Sequence, residues 1–318
     1  MDYKAVSQQV VDNVGGLENI EGATHCVTRL RLVLKDTSKY NKAELENIDG
    51  VKGVLYNSGQ LMIIFGTGTV NKVYDEFMAL TGVKEISASE VKGAEALVRW
   101  IDPVRGLVPP NDFIPLFERN GAVVQIDIYV FEQVCKALSQ WNKQGLPVHP
   151  VSCNFSSLHF DRADFPRQLA DIAARYEVPH ALLEVEITES SIMSNPESAC
   201  AQIMQLKERG FLIAIDDFGS GYSSLGQIQQ IMADVLKLDR SFVQRNILGA
   251  REQIVLSNVI RMATELGMSV ICEGVETGEQ ADILIQLGCR NAQGFFYAKP
   301  MPRRDFEQLL QKGARLPV

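Results

Sequence analysis

The stretch Phe211-Leu212-Ile213-Ala214-Ile215-Asp216-Asp217-Phe218-Gly219-Ser220-Gly221 decides the fold. Five consecutive apolar residues leave no solvent face, the pattern of a parallel strand covered on both sides. Two aspartates follow at once, and the glycines then turn the chain. The same order, an apolar run closing on an acid or amide, recurs along the sequence. Val151-Ser152-Cys153 runs into Asn154, and Val270-Ile271-Cys272 runs into Glu273. Glu186 lies inside Glu184-Val185-Glu186-Ile187-Thr188-Glu189, and Glu95 lies in the run 94–98. Strand-like runs at 94–98, 148–153, 182–187, 211–215, 235–238 and 269–272 alternate with helical stretches. That rhythm predicts a TIM-like (β/α) barrel. The helices carry their own punctuation. Asn195-Pro196 caps one helix and Gly210 ends it, while Thr277-Gly278-Glu279-Gln280 has capping-box spacing with Gly288 as the stop.

Residues at the C-terminal ends of barrel strands converge on one mouth. Carboxylates gathered there repel one another unless cations lie between them. Hard oxygen donors with one amide suit Mg²⁺ or Mn²⁺ better than zinc. Adjacent Asp216 and Asp217 suit a carboxylate bridging two metals, and Lys237 adds a positive charge one strand on. Taken singly, each acid reads equally as a solvated loop residue or a helix cap. The coincidence at five strand ends favours the metal reading.

The rest of the chain bounds the possibilities. The sequence has 318 residues, is 46% hydrophobic and 22% charged, and carries a net charge of −8, which argues against a disordered or fibrous chain and against a binder of nucleic-acid phosphates. Its length predicts two domains or one large barrel. No apolar run approaches a bilayer span, and Met1-Asp2-Tyr3-Lys4 does not open a signal peptide. Six cysteines without CxxC spacing read as reduced thiols, so a cytoplasmic location is expected. Cys135, Cys153, Cys200, Cys272 and Cys289 read as small buried hydrophobes, His149, His159 and His180 as ordinary histidines, and Trp100 and Trp141 as packing residues.

Residues 3–14 read as a helix ended by Gly15-Gly16, and 28–34 as a half-buried strand. A hairpin follows, 51–56 and 60–65 joined across Asn57-Ser58-Gly59, and then a helix over 69–80. This small α+β domain spans 1–86, with a linker at 87–92 and the barrel at 93–318. Cys26 precedes Val27-Thr28-Arg29-Leu30-Arg31. Nearby guanidinium groups lower a thiol pKa and pair with an attached phosphate. A buried structural cysteine beside solvent-facing arginines fits the same residues.

Residues 93–318 resemble the EAL domain, the family of cyclic-di-GMP phosphodiesterases. The resemblance rests on Glu95-Ala96-Leu97 with Val98-Arg99-Trp100, Asn154-Phe155-Ser156, Glu186-Ile187-Thr188-Glu189, the run 216–225, Leu236-Lys237-Leu238-Asp239, Glu273-Gly274-Val275-Glu276, and Gln293-Gly294-Phe295-Phe296 with Lys299-Pro300. It implies that Glu95, Asn154, Glu186, Asp216 and Asp217 hold two Mg²⁺ or Mn²⁺ ions, with Glu273 nearby. It implies that Lys237 and Glu273 serve catalysis, and that Arg99, Asp239, Glu276 and Gln293 contact substrate. Glu189, Phe218 and Ser220 would couple metal binding to homodimer formation. The implied reaction is hydrolysis of cyclic-di-GMP to pGpG. The family's first strand, carrying a Tyr-Gln-Pro-Ile-like segment, has no counterpart here, because Gly93 follows the linker almost at once. The barrel is therefore expected to be one strand short.

Residues 1–86 resemble the EIIB domain of the glucose/sucrose/β-glucoside class of the bacterial phosphotransferase system. The matching stretches are Gly15-Gly16-Leu17-Glu18-Asn19-Ile20, Cys26 to Arg31, Asp49-Gly50-Val51-Lys52-Gly53-Val54 and Ile63-Ile64-Phe65-Gly66. The resemblance implies that Cys26 takes a phosphoryl group from a IIA protein, supported by Thr28, Arg29 and Arg31, and works with a separate IIC permease. Such partners would draw the protein to the inner membrane. Three functions stay open: a phosphodiesterase sensing phosphotransferase status, a silent binder of cyclic-di-GMP or protein, and a phosphocarrier.

Overall fold

The computed structural model describes residues 1–25, 28–57, 60–66, 68–84, 90–219, 231–244, 247 and 249–311. Cys26, Ser220 and residues 87–89 of the expected linker lie outside them. Two units emerge, one of residues 1–90 with 276–286 and one of 91–275 with 287–314.

The first unit contains α1 (Tyr3–Asn13), β1 (Ile20–His25), β2 (Arg29–Leu34), α2 (Lys42–Glu46), β3 (Gly53–Asn57), β4 (Gln60–Ile64) and α3 (Thr69–Thr81). Its four strands form an antiparallel sheet in the order β1-β2-β4-β3. Leu30 and Leu32 of β2 and Leu61 and Ile63 of β4 share one core with Val6, Val10 and Val14 of the α1 segment and Val70, Val73 and Phe77 of α3. The apolar stripes at helical spacing account for α1 and α3. β1 escaped the sequence reading, because Gly22 and Ala23 interrupt the strand signature between Ile20 and Thr24; register with β2 makes it a strand.

The second unit continues with β5 (Ala94–Ala96), the hairpin β6 (Trp100–Asp102) and β7 (Gly106–Val108), α4 (Pro110–Asn120), α5 (Val123–Lys143), β8 (Val151–Asn154), α6 (Phe165–Arg175), β9 (Leu183–Thr188), α7 (Glu189–Ser194) and α8 (Pro196–Glu208). Then come β10 (Leu212–Phe218), β11 (Val235–Leu238), α9 (Ser241–Gln244), α10 (Ala250–Glu265) and β12 (Ser269–Cys272). The chain passes through α11 (Gly278–Gln286), which falls in the first unit, and returns as β13 (Asn291–Ala292) and α12 (Arg303–Gln311).

Seven strands form one curled sheet in the order β13-β12-β11-β10-β9-β8-β5, and every neighbouring pair is parallel. Among the described residues β5 and β13 are its two edges, in keeping with a barrel one strand short of eight. Helix punctuation follows the sequence. Asn195 Oδ1 accepts from Ser198 N–H at 3.4 Å, and Gly210 takes φ +88° after α8. Thr277 and Gln280 form the reciprocal capping box, Gln280 N–H donating to Thr277 Oγ1 at 3.3 Å and Thr277 N–H donating to Gln280 Oε1 at 3.0 Å. Trp141 is buried and Trp100 rests edge-on against Phe113. Among the described residues no helix is long and apolar enough to cross a membrane.

Candidate active site

All seven parallel strands point their C-terminal ends the same way, which gathers the acids by construction. Glu95 stands on β5, Asn154 ends β8, Glu186 lies on β9, Asp216 and Asp217 lie near the end of β10, and Lys237 is on β11. Glu273 and Gln293 follow β12 and β13 directly, and backbone ladders run past the strands to hold them. Glu273 N–H donates to Leu238 O at 3.0 Å, and Gln293 N–H to Cys272 O at 2.9 Å.

Adjacent aspartates should face opposite sides of a strand. Here the β10–β11 register shifts between Ile215 and Phe218, and Asp217 takes the left-handed conformation at φ +54°. Aspartate tolerates that region better than most residues. The bulge lets both carboxylates serve one mouth. Two acid triads result, Glu95–Glu186–Glu273 and Asp216–Asp217–Glu273, each with oxygens mutually within 4.8 Å.

Lys237 lies at the centre, 2% exposed. Its Nζ pairs with Glu186, and stands 2.7 Å from Glu273, 3.4 Å from Asp216 and 3.5 Å from Glu95. Burial opposes its charge, but these carboxylates together hold its pKa above the ordinary lysine value. One ammonium cannot neutralise four acids. Burial pushes the Glu273 carboxyl up to about 7, and burial with the neighbouring Asp216 raises Asp217. Glu186 is raised as well, chiefly by burial. Glu95 is oriented by two amides, Asn154 Nδ2 donating to Oε1 at 2.8 Å and Gln293 Nε2 to Oε2 at 2.7 Å.

The mouth is therefore short of positive charge and holds spare acceptors. Among the described residues Glu186 Oε2 and Asp216 Oδ1 are buried with no hydrogen-bond partner, Lys237 Nζ approaching the latter only as an ion pair at 3.4 Å. An all-oxygen donor set with orphaned buried carboxylate oxygens fits a hard divalent cation.

Other expected residues are placed differently. Arg99 is exposed and donates to Val98 O at 2.8 Å, and Asp239 caps α9 by accepting from Ser241 N–H at 2.9 Å. Glu276 falls in the first unit. Glu189 is buried and accepts from Gly219 N–H at 3.2 Å, tying the start of α7 to the end of β10, and Phe218 is buried. In the first unit Arg29 and Arg31 both pair with Asp282, a partner that local sequence could not reveal. Also unforeseen was Asp127, an acid on the apolar stripe of α5; that break in the pattern was its only signal.

This constellation has known counterparts. The EAL domain family profile matches residues 76–300. The chain belongs to the EAL domain family. A second profile, phosphotransferase system EIIB, matches residues 8–41. The oxygen sensor protein DosP of Escherichia coli is 36% identical over 216 residues, covering 68% of this chain and 27% of DosP. The cyclic di-GMP phosphodiesterase PdeR of the same organism is 35% identical, covering 69% of this chain and 33% of PdeR. The chain thus spans about a third or less of these relatives. Among solved structures, the phosphodiesterase PaMucR in its c-di-GMP complex superposes with a TM-score of 0.63 at 33% identity, covering 67% of this chain and 86% of that one. The EAL domain of Mycobacterium smegmatis DcpA gives 0.62 at 31% identity, covering 72% and 93%.

Proposed function

We propose that this EAL family member is a phosphodiesterase that hydrolyses cyclic-di-GMP to pGpG. The observation that carries the reading is the mouth itself, two acid triads sharing Glu273 around buried Lys237. Support comes also from relatives named as cyclic di-GMP phosphodiesterases. Glu95, Asn154, Glu186, Asp216 and Asp217 would hold two Mg²⁺ or Mn²⁺ ions. Cations bound there would lower the pKa of a coordinated water and offset charge on the phosphodiester.

The chain's own residues do the rest. Asn154 and Gln293 fix both oxygens of Glu95. Lys237 keeps a permanent positive charge beside the reacting phosphate. Glu273, 2.7 Å from Lys237 Nζ, accepts a proton from the attacking water. Water oxygen bonds to phosphorus, the P–O3′ bond breaks, and the departing 3′ oxygen takes up a proton from solvent while Glu273 releases the one it accepted. Arg99, Asp239 and Gln293 are the residues of this unit that we assign to substrate.

We assign residues 1–86 to an EIIB module, 87–92 to a linker and 93–318 to the EAL domain. The module would carry phosphate on Cys26, supported by Thr28, Arg29 and Arg31, from a IIA donor, with a separate IIC permease as sugar acceptor. Dimerisation through the EAL domain, with Glu189, Phe218 and Ser220 in the coupling element, completes the proposal. The test is incubation of the purified chain with cyclic-di-GMP and Mn²⁺ or Mg²⁺. Appearance of pGpG supports the reading. Tight nucleotide binding without cleavage would replace it by a silent sensor, the reading favoured by the open seven-stranded sheet.

A further inference from the structure

Asp127 occupies a place where the α5 pattern calls for an apolar side chain. The buried stripe of that helix runs Val123, Asp127, Phe131, Val134, Leu138 and Trp141. A carboxylate there is costly unless it is fully hydrogen-bonded. Asp127 Oδ2 accepts from the backbone N–H of Ser156 at 3.0 Å and from His159 Nε2 at 3.1 Å. Because a carboxylate only accepts, the imidazole hydrogen is on Nε2. His159 is 0% exposed, flanked by the rings of Phe155 at 5.3 Å and Phe165 at 4.5 Å, and its Nδ1 has no partner among the described residues. Asp127 is thus the polar anchor of this turn.

The turn is the one that leaves β8 at Asn154. Two successive amides of it are held from different elements. Phe155 N–H donates to Glu186 O of β9 at 3.0 Å, and Ser156 N–H donates to Asp127 of α5. Asn154, immediately before them, is the residue whose amide reaches Glu95 in the acidic mouth. Phe131, one turn along α5 from Asp127, packs its ring 5.9 Å from Phe155. The helix therefore grips the turn through one apolar and one hydrogen-bonded contact.

We propose that Asp127 is a positioning residue for the cation site: by tethering Ser156 and His159 it sets where Asn154 stands at the mouth, and so the affinity of the mouth for a divalent cation. It touches no reacting atom. An apolar residue would fill the stripe at lower cost in desolvation, but would leave the Ser156 amide unheld.

The inference rests on reading the mouth as a cation site. The experiment is calorimetric titration of the full-length chain with Mn²⁺ in the absence of nucleotide, alongside thermal melting. Asp127→Ala is expected to weaken Mn²⁺ binding tenfold or more. Asp127→Asn, which keeps an acceptor for Ser156 N–H, should recover most of the affinity. Ser156→Pro severs the same tether from the other end, removing the amide at a residue whose φ of −65° already suits proline; it serves alone if the alanine variant does not fold. Val134→Ala, a cavity on the same stripe, should lower the melting temperature while leaving Mn²⁺ affinity within twofold. If Asp127→Ala and Ser156→Pro bind Mn²⁺ as the parent does, or if asparagine rescues nothing, the positioning role is overturned. A parent chain that takes up no Mn²⁺ instead overturns the cation reading on which it stands.

Discussion

Lys237 and Glu273 meet at 2.7 Å, and Glu273 is the carboxylate common to both acid triads of the mouth. Among the described residues, the ammonium at the centre of this site is therefore paired with the acid that links its two halves.

Lys237→Met should be felt in stability and in turnover. It leaves Glu95, Glu186, Asp216 and Glu273 facing one another with no fixed cation. Removing one partner of a buried ion pair costs about 3–5 kcal/mol. Cyclic-di-GMP cleavage should fall about a hundredfold or more, by loss of a preorganised charge. Urea denaturation in EDTA and a pGpG assay read the two effects; normal turnover would remove Lys237 from the reaction.

The metal-free chain should lose stability as pH rises through the weakly acid range. Burial pushes the carboxyls of both Glu184 and Glu273 up to about 7. Unfolded, such groups titrate near roughly 4.3. Between those values the folded chain binds more protons than the unfolded one, so stability is greatest below about 4.5 from this source and is lost by about 7. Glu184→Gln should flatten part of the slope. Urea midpoints at graded pH in EDTA test this, and equal slopes in parent and variant would refute the assignment to Glu184.

Gly294→Ala should damage the mouth through backbone. A Cβ at Gly294 would lie 2.1 Å from Val275 O and 2.3 Å from Val275 N, neither of which is the end of a flexible side chain. Overpacking of this kind costs about 1–3 kcal/mol. The neighbouring Gln293, which holds Glu95, would shift with it. A lowered melting temperature together with weakened Mn²⁺ binding is expected; a change in melting alone would separate Gly294 from the site.

Cys26→Ser should leave cyclic-di-GMP cleavage intact and abolish transfer of labelled phosphate from a phosphorylated IIA protein. Label that persists on the variant would move the acceptor elsewhere.

Much of this protein is written in short-range pattern. The apolar runs ending at Asn154, Asp216 and Glu273 announced parallel strands and placed their acids at one mouth, because burial on both faces and chain direction are properties of each strand by itself. The capping box at Thr277 and Gln280 was legible for the same reason: its partners are three residues apart. β1 and the two-residue β13 were not, since neither Gly22-Ala23 nor Asn291-Ala292 has a strand propensity that stands without a neighbour to pair with.

Sequence alone determined which side chains the strands deliver to the mouth, the carboxylates and Lys237, and the order in which they arrive. Tertiary structure decided what those residues do to one another. The left-handed turn at Asp217, the sharing of Glu273 between two triads, the pairing of Arg29 and Arg31 with Asp282 and the tether from Asp127 to Ser156 all join positions that are distant in the chain or depend on register. The physical reason is that charge, burial and hydrogen-bond satisfaction are set by what packs nearby, whereas the periodicity that makes a strand or helix is set by the residues within it.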